Sequence, residues 1–214
     1  MIKELISNIH WLGHDSFRIE GEGLTIYIDP YQLKTGLKAD IILITHEHHD
    51  HCSPDDVVKV QKDDTVIIAN ALAAKRLKGH VNIIQPGESM NVKGIPIEAV
   101  PAYNVNKFRS PGVTFHPRKS NHVGFILTVE GKRIYHSGDT DFTPEMKSIQ
   151  ADVALLPVSG IYVMTAEEAA EAATAIAPQV VIPMHIGRDI GSLDDAQRFK
   201  EVTSLPVEIL PMEG

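Results

Sequence analysis

A strand-like apolar run that stops at a cluster of histidines constrains this chain more than any other feature. Residues 40–45 are largely apolar and β-branched, which is typical of a strand buried on both faces. Residues 46–51 follow directly and hold four of the eleven histidines. His46 and His48 point to the same side of an extended segment, because side chains alternate along it. Imidazole and carboxylate together suit zinc, manganese, iron or nickel, and the alternative is a solvated histidine-rich loop.

Length and charge define the class of protein. The chain of 214 residues is long enough for one large domain, and we expect a single domain over residues 1–214. A net charge of −8 argues against long nucleic acid as a partner and leaves small-molecule substrates open. The sequence shows no signal-peptide pattern and no apolar run near the roughly 20 residues that span a bilayer, so we expect a cytoplasmic protein without membrane association. The single cysteine, Cys52, excludes a disulfide framework, and nothing indicates the oligomeric state.

Strand and helix patterns alternate along the chain and predict an α/β protein. We expect one strand over residues 9–19, paired with a strand over Leu24–Ile28, and a last strand over residues 206–210. A helix should begin at Pro54 with Ser53 as its cap, because serine and proline favour those positions. Residues 105–121 show no hydrophobic periodicity and predict a long irregular segment, which in a compact domain is usually functional.

Histidines and acidic residues recur where the predicted strands end. Asp29, the histidine cluster, Asp139 and His185 each come directly after an apolar run. Because ligand sites in α/β sheets form at strand ends, these positions predict one buried metal site. Asp29 is either a turn residue or a group that orients a ligand loop. His14 alone is more typical of a core or surface residue than of a ligand.

Four basic residues fall in the irregular segment of this acidic chain: Lys107, Arg109, Arg118 and Lys119. They predict either a local anion-binding lip or an ordinary solvated loop, and the sequence does not choose between the two. His116 lies in the same segment.

The pattern His46-x-His48-x-Asp50-His51, followed by Gly138-Asp139 and the strand-terminal His185, resembles the metallo-β-lactamase superfamily of metal-dependent hydrolases. The segments 135–141 and 182–185 are similar, more narrowly, to the branch that contains L-ascorbate-6-phosphate lactonase. The resemblance covers the whole chain. It implies a four-layer αββα sandwich, with two mixed β-sheets face to face, helices outside and the site at one edge.

The resemblance also implies roles for the motif residues. His46 and His48 would bind a first metal, Asp50, His51 and His185 a second, and Asp139 would bridge the two. His49 falls on a position without a role, and His14 and Asp29 would lie just behind the ligands.

The chain departs from the family pattern at residues 101–104, where a further histidine is usual and Asn104 is a much weaker ligand. His116 or His122 could substitute for it from the following segment. Either one or two metal ions are therefore expected, and the position served by Asp50, His51 and His185 is expected to be better supplied.

These expectations describe a hydrolase in which zinc, manganese or nickel activates water. Asp50 would be the catalytic residue that holds the nucleophile or moves its proton. We expect a small anionic ester or lactone as substrate, with the basic segment holding its charge. Two alternatives remain: a phosphodiesterase acting on a cyclic nucleotide or a phospholipid headgroup, and a non-catalytic metal-binding domain.

Overall fold

The computed structural model of the protein describes residues 2–213. Its first sheet contains six strands in chain order, β1 (Ile9–Gly13), β2 (Ser16–Gly21), β3 (Leu24–Ile28), β4 (Ile41–Ile44), β5 (Val66–Ala69) and β6 (His80–Ile83). Strands β1 to β3 are antiparallel, and β3 to β6 are parallel. This arrangement brings the ends of β1, β3 and β4 to the same edge.

The remaining strands form a second sheet and a small hairpin. They are β7 (Ser89–Val92), β8 (Ile95–Pro101), β9 (Phe108–Ser110), β10 (Val113–Thr114), β11 (Val123–Val129), β12 (Lys132–His136), β13 (Val153–Pro157) and β14 (Val180–Met184). The second sheet has the order β14-β13-β12-β11-β8-β7, and β9 pairs with β10 alone. Strands β12, β13 and β14 are parallel, so their ends also share one edge.

Helices cover the outer faces of both sheets. They are α1 (Ile2–Ile6), α2 (Pro54–Val60), α3 (Ala71–Ala74), α4 (Ala166–Ile176) and α5 (Leu193–Val202), with 3-10 turns at Arg118–Ser120 and Pro144–Ser148. The larger core joins the two sheets with α4 and α5, and a smaller one lies between the first sheet, α2 and α3. The predicted αββα sandwich is therefore confirmed.

Strand β4 shows this layering residue by residue. Ile41 and Leu43 belong to the core between the sheets, whereas Ile42 and Ile44 pack into the cluster beneath α2 and α3. Because both faces are covered, the strand needs a continuous apolar run, as the sequence has. The histidines begin where this run leaves the core.

Three sequence-based expectations about strands are wrong. Residues 9–19 form two strands, because Gly13 and His14 turn the chain with φ angles of +101° and +53°. The segment 105–121 contains the hairpin β9–β10, whose mostly exposed residues produce no hydrophobic periodicity. Of residues 206–210, Val207 makes only an isolated bridge to Val181.

No helix among residues 2–213 is both long and apolar enough to cross a membrane. The histidines and acidic residues singled out in the sequence gather at one shared edge of the two sheets. At this edge the turn after β1 meets the loops after β4, β12 and β14. The sheets are tied together there, since His136 Nε2 lies 2.9 Å from Asp15 O and Val123 N donates to Thr45 O at 3.2 Å.

Candidate metal centre

Asp29 lies at the base of the site and holds two of its histidines. Its side chain is fully buried, and one carboxylate oxygen lies 2.8 Å from His51 Nδ1. The same oxygen accepts a hydrogen bond from the Thr45 hydroxyl at 2.6 Å, and that hydroxyl lies 2.9 Å from His46 Nδ1. A carboxylate that fixes the Nδ1 side of a ring leaves Nε2 available to a metal. Asp29 therefore lies behind the rings rather than among the donor atoms.

A first group of donor atoms comes from His46, His48, His116 and Asp139. His48 Nδ1 lies 3.0 Å from His46 Nε2 and 3.2 Å from His116 Nε2. Asp139 Oδ2 lies 3.2 Å from His116 Nε2 and 3.9 Å from His46 Nε2. Ligands about 2.1 Å from a tetrahedral ion stand roughly 3.4 Å apart, so this spacing fits one metal ion.

His116 brings this group the imidazole that residues 101–104 lack. Asn104 Oδ1 accepts a hydrogen bond from His116 N at 2.8 Å and lies 3.0 Å from His116 Nδ1. Asn104 Nδ2 donates to Asp141 Oδ1 at 3.1 Å and to Tyr162 O at 2.9 Å. Asn104 is thus held by its neighbours and aims the His116 ring from behind.

His122, the other substitute that the sequence suggested, lies outside the donor group. Its ring stacks on His46 with centroids 4.8 Å apart, and its Nε2 lies 3.1 Å from Glu47 Oε2. Burial, which by itself raises a carboxyl pKa, is outweighed by His122, and the pKa of Glu47 falls to about 2. His122 therefore packs against the first group as a neighbour of a carboxylate.

A second group consists of His14, Asp15, His51 and His185. His51 Nε2 lies 3.8 Å from Asp15 Oδ2, and the rings of His14 and His185 are 4.5 Å apart. Within residues 2–213, both ring nitrogens of His14, both carboxylate oxygens of Asp15, and Nε2 of His51 and of His185 are buried without a hydrogen-bond partner. Unpaired buried polar atoms are costly, so their convergence indicates a site for a cation.

The structure corrects the expected position of His14 and adds Asp15. We expected His14 behind the ligands, but its ring lies among the donor atoms, and Asp15 had no assigned role. The turn between β1 and β2 carries both side chains into the site, and His14 N is fixed by a hydrogen bond to Ile186 O at 2.9 Å. The sequence signal was Gly13 before a polar pair, which interrupts the alternation of a single strand.

Asp139 lies between the two groups. Its Oδ1 lies 3.3 Å from His51 Nε2, and its Oδ2 lies 3.4 Å from His185 Nε2. The preceding Gly138 has a φ of +62°, and a Cβ there would approach Val123 O to 2.9 Å. Glycine is therefore required for the close turn that presents Asp139 to both groups.

His185 is aimed from the loop after β13. Its Nδ1 lies 2.8 Å from Ser159 Oγ, which leaves Nε2 facing the second group. Its backbone has a φ of +61°, an uncommon conformation for a residue with a side chain and one that recurs at functional sites.

Asp50 lies at the rim of the second group rather than inside it. Its Oδ2 is 3.2 Å from His14 Nε2 and 3.9 Å from His51 Nε2, and its side chain is 13% exposed. Asp15 provides the carboxylate of this group, and Asp50, which we expected among its donors, borders the group at a similar distance from His51. The neighbouring His49 is 78% exposed and has its Nδ1 3.5 Å from Asp50 Oδ1.

Two histidines of the first group, His46 and His48, have a weakened affinity for protons. Burial lowers the pKa of His46 well below its usual value, and the nearby His51 adds to the effect. Burial and the adjacent His116 lower the pKa of His48 to about 4. Both rings are therefore neutral at pH 7 and available to a metal.

The second group has the opposite tendency. Burial alone would lower the pKa of His51, but Asp139 and Asp29 raise it well above its usual value. Against the same effect of burial, Asp139 and Asp15 raise the pKa of His185. Burial raises the pKa of Asp15 to about 7. A metal that bound here would have to displace protons from these residues.

A cavity of about 290 Å³ opens beside Asp139. Its lining consists of His48, His49, Asp50, Phe115, His116, Asp139, Tyr162 and Ile190. Two slightly larger cavities, of about 310 and 360 Å³, lie elsewhere on the described chain and have no histidine in their linings. The cavity beside Asp139 therefore combines space for a small molecule with the donor atoms.

The structure does not bring the four basic residues of the irregular segment to this cavity. Lys107 Nζ lies 2.6 Å from Glu168 Oε2, and Arg118 pairs with Glu145 at 2.7 Å. Arg109 and Lys119 are exposed and are not among the lining residues. The expected anion-binding lip is therefore not formed, because two of its members neutralise carboxylates elsewhere.

Comparison with known proteins identifies relatives. The sequence model of the beta-lactamase superfamily domain matches residues 8–185. A UPF0173 metal-dependent hydrolase of Methanopyrus kandleri is 32% identical over 225 residues, covering 96% of each chain. A similar hydrolase of Thermoplasma acidophilum is 32% identical and covers 90% of this chain and 88% of its own.

Solved structures agree with these relatives. A structure described as a metal-dependent hydrolase from Parabacteroides distasonis is 37% identical, with a TM-score of 0.80, and the match covers 95% of this chain and 93% of the other. A structure from Thermotoga maritima, described as a zinc-dependent hydrolase, is 25% identical, with a TM-score of 0.64, and the match covers 94% and 97%. The two donor groups and these relatives agree on a site for divalent metal ions.

Proposed function

The chain belongs to the UPF0173 metal-dependent hydrolases of the metallo-β-lactamase superfamily, and on that premise we propose that it hydrolyses a small ester or lactone. One observation carries the proposal. Two groups of four donor residues meet at Asp139, and a cavity sized for a small molecule opens directly beside it. Small-molecule sites usually have volumes of roughly 300–1,000 Å³, and this cavity is at the lower end.

When bound, a pair of divalent ions would activate a water molecule and polarise the scissile carbonyl. Asp139 would fix the distance between the two positions, because its oxygens face both groups. Asp29 would keep the His51 ring in place directly at Nδ1 and the His46 ring through the Thr45 hydroxyl. These contacts preorganise the site before substrate arrives.

Asp50 is proposed to accept and release the reacting proton. Burial favours its protonated form, but His14 and His51 outweigh burial and lower its pKa below the usual value, so it is ionised at neutral pH. It borders the cavity, and the exposed His49 lies 3.5 Å away on the solvent side. Asp50 and His49 together therefore connect the cavity to bulk water.

The cavity lining favours a carboxyl ester or lactone over a phosphodiester. No lysine or arginine is among the described residues that line it, so the lining offers neither of the side chains that usually pair with a phosphoryl group. The resemblance to the L-ascorbate-6-phosphate lactonase branch supports the same choice. The described lining has no lysine or arginine to pair with the anionic substituent that we expected. The proposal is therefore limited to the ester or lactone group itself.

Zinc is the proposed ion of the first group. Three imidazoles and one carboxylate are a donor set typical of zinc, although manganese and nickel accept the same donors. The description of the Thermotoga maritima relative as zinc-dependent supports this choice. With a net charge of −8, the proposed partner is a small molecule and not long nucleic acid.

The test is a screen of the chelated and the metal-reloaded protein. Zinc, manganese and nickel forms are assayed on panels of lactones, carboxyl esters, thioesters and phosphodiesters, with Asp139→Asn as the matched control. We expect turnover of an ester or lactone that requires metal and is lost in the control. Turnover confined to phosphodiesters would establish the phosphodiesterase alternative instead. Stoichiometric metal binding without turnover of any class would indicate a non-catalytic domain.

A further inference from the structure

Part of the wall of the cavity beside Asp139 is formed by large apolar and aromatic side chains. Phe115, Tyr162 and Ile190 form it, and the rings of Phe115 and Tyr162 have centroids 4.4 Å apart at an angle of 50°. Tyr162 is 41% exposed although it is a large aromatic residue, and the adjacent Ile161 is 43% exposed. Exposed apolar side chains gathered at a concave surface are typical of a ligand-binding wall.

This wall is tied to both donor groups by hydrogen bonds. Asn104, which aims His116, also donates from its Nδ2 to Tyr162 O at 2.9 Å. Three residues earlier in the same loop, Ser159 Oγ lies 2.8 Å from His185 Nδ1. One loop therefore positions the aromatic wall relative to the first group at one end and the second group at the other.

The backbone of Tyr162 is held in a conformation that its side chain disfavours. Its φ is +68°, whereas a bulky residue without special constraints avoids positive φ. Its carbonyl is the acceptor for Asn104, and Gly160 N donates to Met164 O at 2.8 Å across the same loop. The surrounding bonds thus fix the position of the Tyr162 ring at the cavity, which is the usual setting of such strain.

We propose that Phe115, Tyr162 and Ile190 select substrates whose ester or lactone carries a ring-sized apolar substituent. This inference rests on the proposed function, since it assigns the substrate class of the same site. The apolar group would lie against the aromatic pair while the carbonyl faces Asp139. Recognition then comes from burial, at about a fourfold gain in affinity for each methylene-sized group removed from water.

The charges around the cavity support this choice. The titratable residues in its lining are histidines, acids and Tyr162, and the nearby cations Lys107 and Arg118 are paired with Glu168 and Glu145. A substituent with its own negative charge would meet Asp50 and Asp139 without a compensating lysine or arginine in the lining. An apolar substituent is not repelled by these carboxylates.

The closing experiment measures binding of product analogues, so that it does not depend on turnover. The zinc-loaded protein is titrated calorimetrically at pH 8 with acetate and with phenylacetate, which share a carboxylate and differ by the ring. We expect phenylacetate to bind at least tenfold more tightly. Phe115→Ala and Tyr162→Ala should each reduce this ratio severalfold, whereas Tyr162→Phe, which keeps the ring, should preserve it.

Val58→Ala is the matched control, because Val58 is 65% exposed on α2 and is not in the cavity lining. Its ratio should equal that of the unmodified protein, and zinc content and circular dichroism report whether each variant is folded. Equal affinities for the two acids, or a ratio unchanged in both alanine variants, would overturn the inference. The affinity ratio could change as expected in a protein that turns over no ester. That result would contradict the proposed function and still establish the binding wall.

Discussion

The two donor groups have the same composition, but the pKa is lowered for two histidines of the first and raised for two histidines of the second. Each offers three imidazoles and one carboxylate, with Asp139 in the first and Asp15 in the second. In the first, burial lowers the pKa of His48 to about 4. In the second, carboxylates raise the pKa of His51 and His185 despite burial. The ligand list alone does not determine how readily a site takes a metal, because the neighbouring charges decide which donors already hold protons.

The difference follows from where the carboxylates lie. His51 is in contact with Asp29 on one side and Asp139 on the other. The first group is crowded by rings instead, with His46 only 4.1 Å from His51 and 4.8 Å from His122 between centroids. We therefore expect metal binding at the second position to release more protons than metal binding at the first.

Removal of the Asp139 side chain should weaken metal binding at both positions. Asp139→Ala takes a donor from the first group and the carboxylate that raises the pKa of His51 and His185 from the second. Metal stabilisation of a transition state is worth several kcal/mol, so we expect kcat/KM to fall on the order of 10³–10⁴-fold with both metals weakened. Atomic absorption after dialysis measures the metals. Retention of both at full stoichiometry would contradict a shared carboxylate.

Substitutions confined to one donor group should affect metal binding at that position alone. His116→Ala should release the first metal and spare the second, and Asp15→Ala should do the reverse, each costing on the order of 10²–10³-fold in kcat/KM. Metal-to-protein ratios and calorimetric titrations follow the two losses, with the exposed Val58→Ala as control. Unchanged metal content in His116→Ala would remove His116 from the first group.

Asp50→Ala should leave both metals bound and the fold intact. Asp50 lies outside both donor groups, at the rim of the cavity. As a proton-transfer residue it should contribute about 10²–10⁴-fold, and we expect kcat to fall by the lower part of that range with little change in KM. Loss of the second metal from this variant would show that Asp50 is a ligand, as we expected from the sequence, and unaltered turnover would remove its catalytic role.

As the pH falls, the second position should lose its metal ion before the first position does. Histidines with a raised pKa, and Asp15 with a pKa of about 7, hold protons that a metal must displace as the pH falls below about 7. His48, with a pKa of about 4, stays neutral down to that pH. Between pH 8 and pH 6 we expect second-site affinity to fall about tenfold per pH unit for each proton displaced, and first-site affinity to fall less. Equal losses at both sites would contradict the difference in proton affinity.

The sequence predicted the parts of the site that local patterns specify. The α/β layering follows from alternating strand and helix patterns, and the four-layer sandwich was implied by the resemblance to the metallo-β-lactamase superfamily. The strand-end residues from His46 to His185 do converge, since the ends of parallel strands share an edge. Asp15 was missed because β1 and β2 look like one alternating strand unless the turn at Gly13 is recognised. Its partners, His51 and His185, come from loops far away in the chain.

The sequence suggested that the second position would have more donors than the first, whereas the two groups have four donor residues each. Without a histidine at residues 101–104, the first position looked incomplete, but the conformation of the segment before β11 brings His116 to it. That segment has no periodic hydrophobic pattern. Its basic residues suggested an anion-binding role, but two of them form ion pairs with Glu168 and Glu145 instead. Long-range placement of a loop is a property of the folded chain, and local sequence cannot supply it.

The most direct measurement of the central claim is anomalous diffraction from crystals of the zinc-loaded protein. We predict two zinc peaks about 3.5–4 Å apart, with Asp139 between them. One should be bound by His46, His48 and His116 and the other by His14, Asp15, His51 and His185. A single peak, or a second peak bound by Asp50 with His14 and Asp15 left free, would contradict the two donor groups.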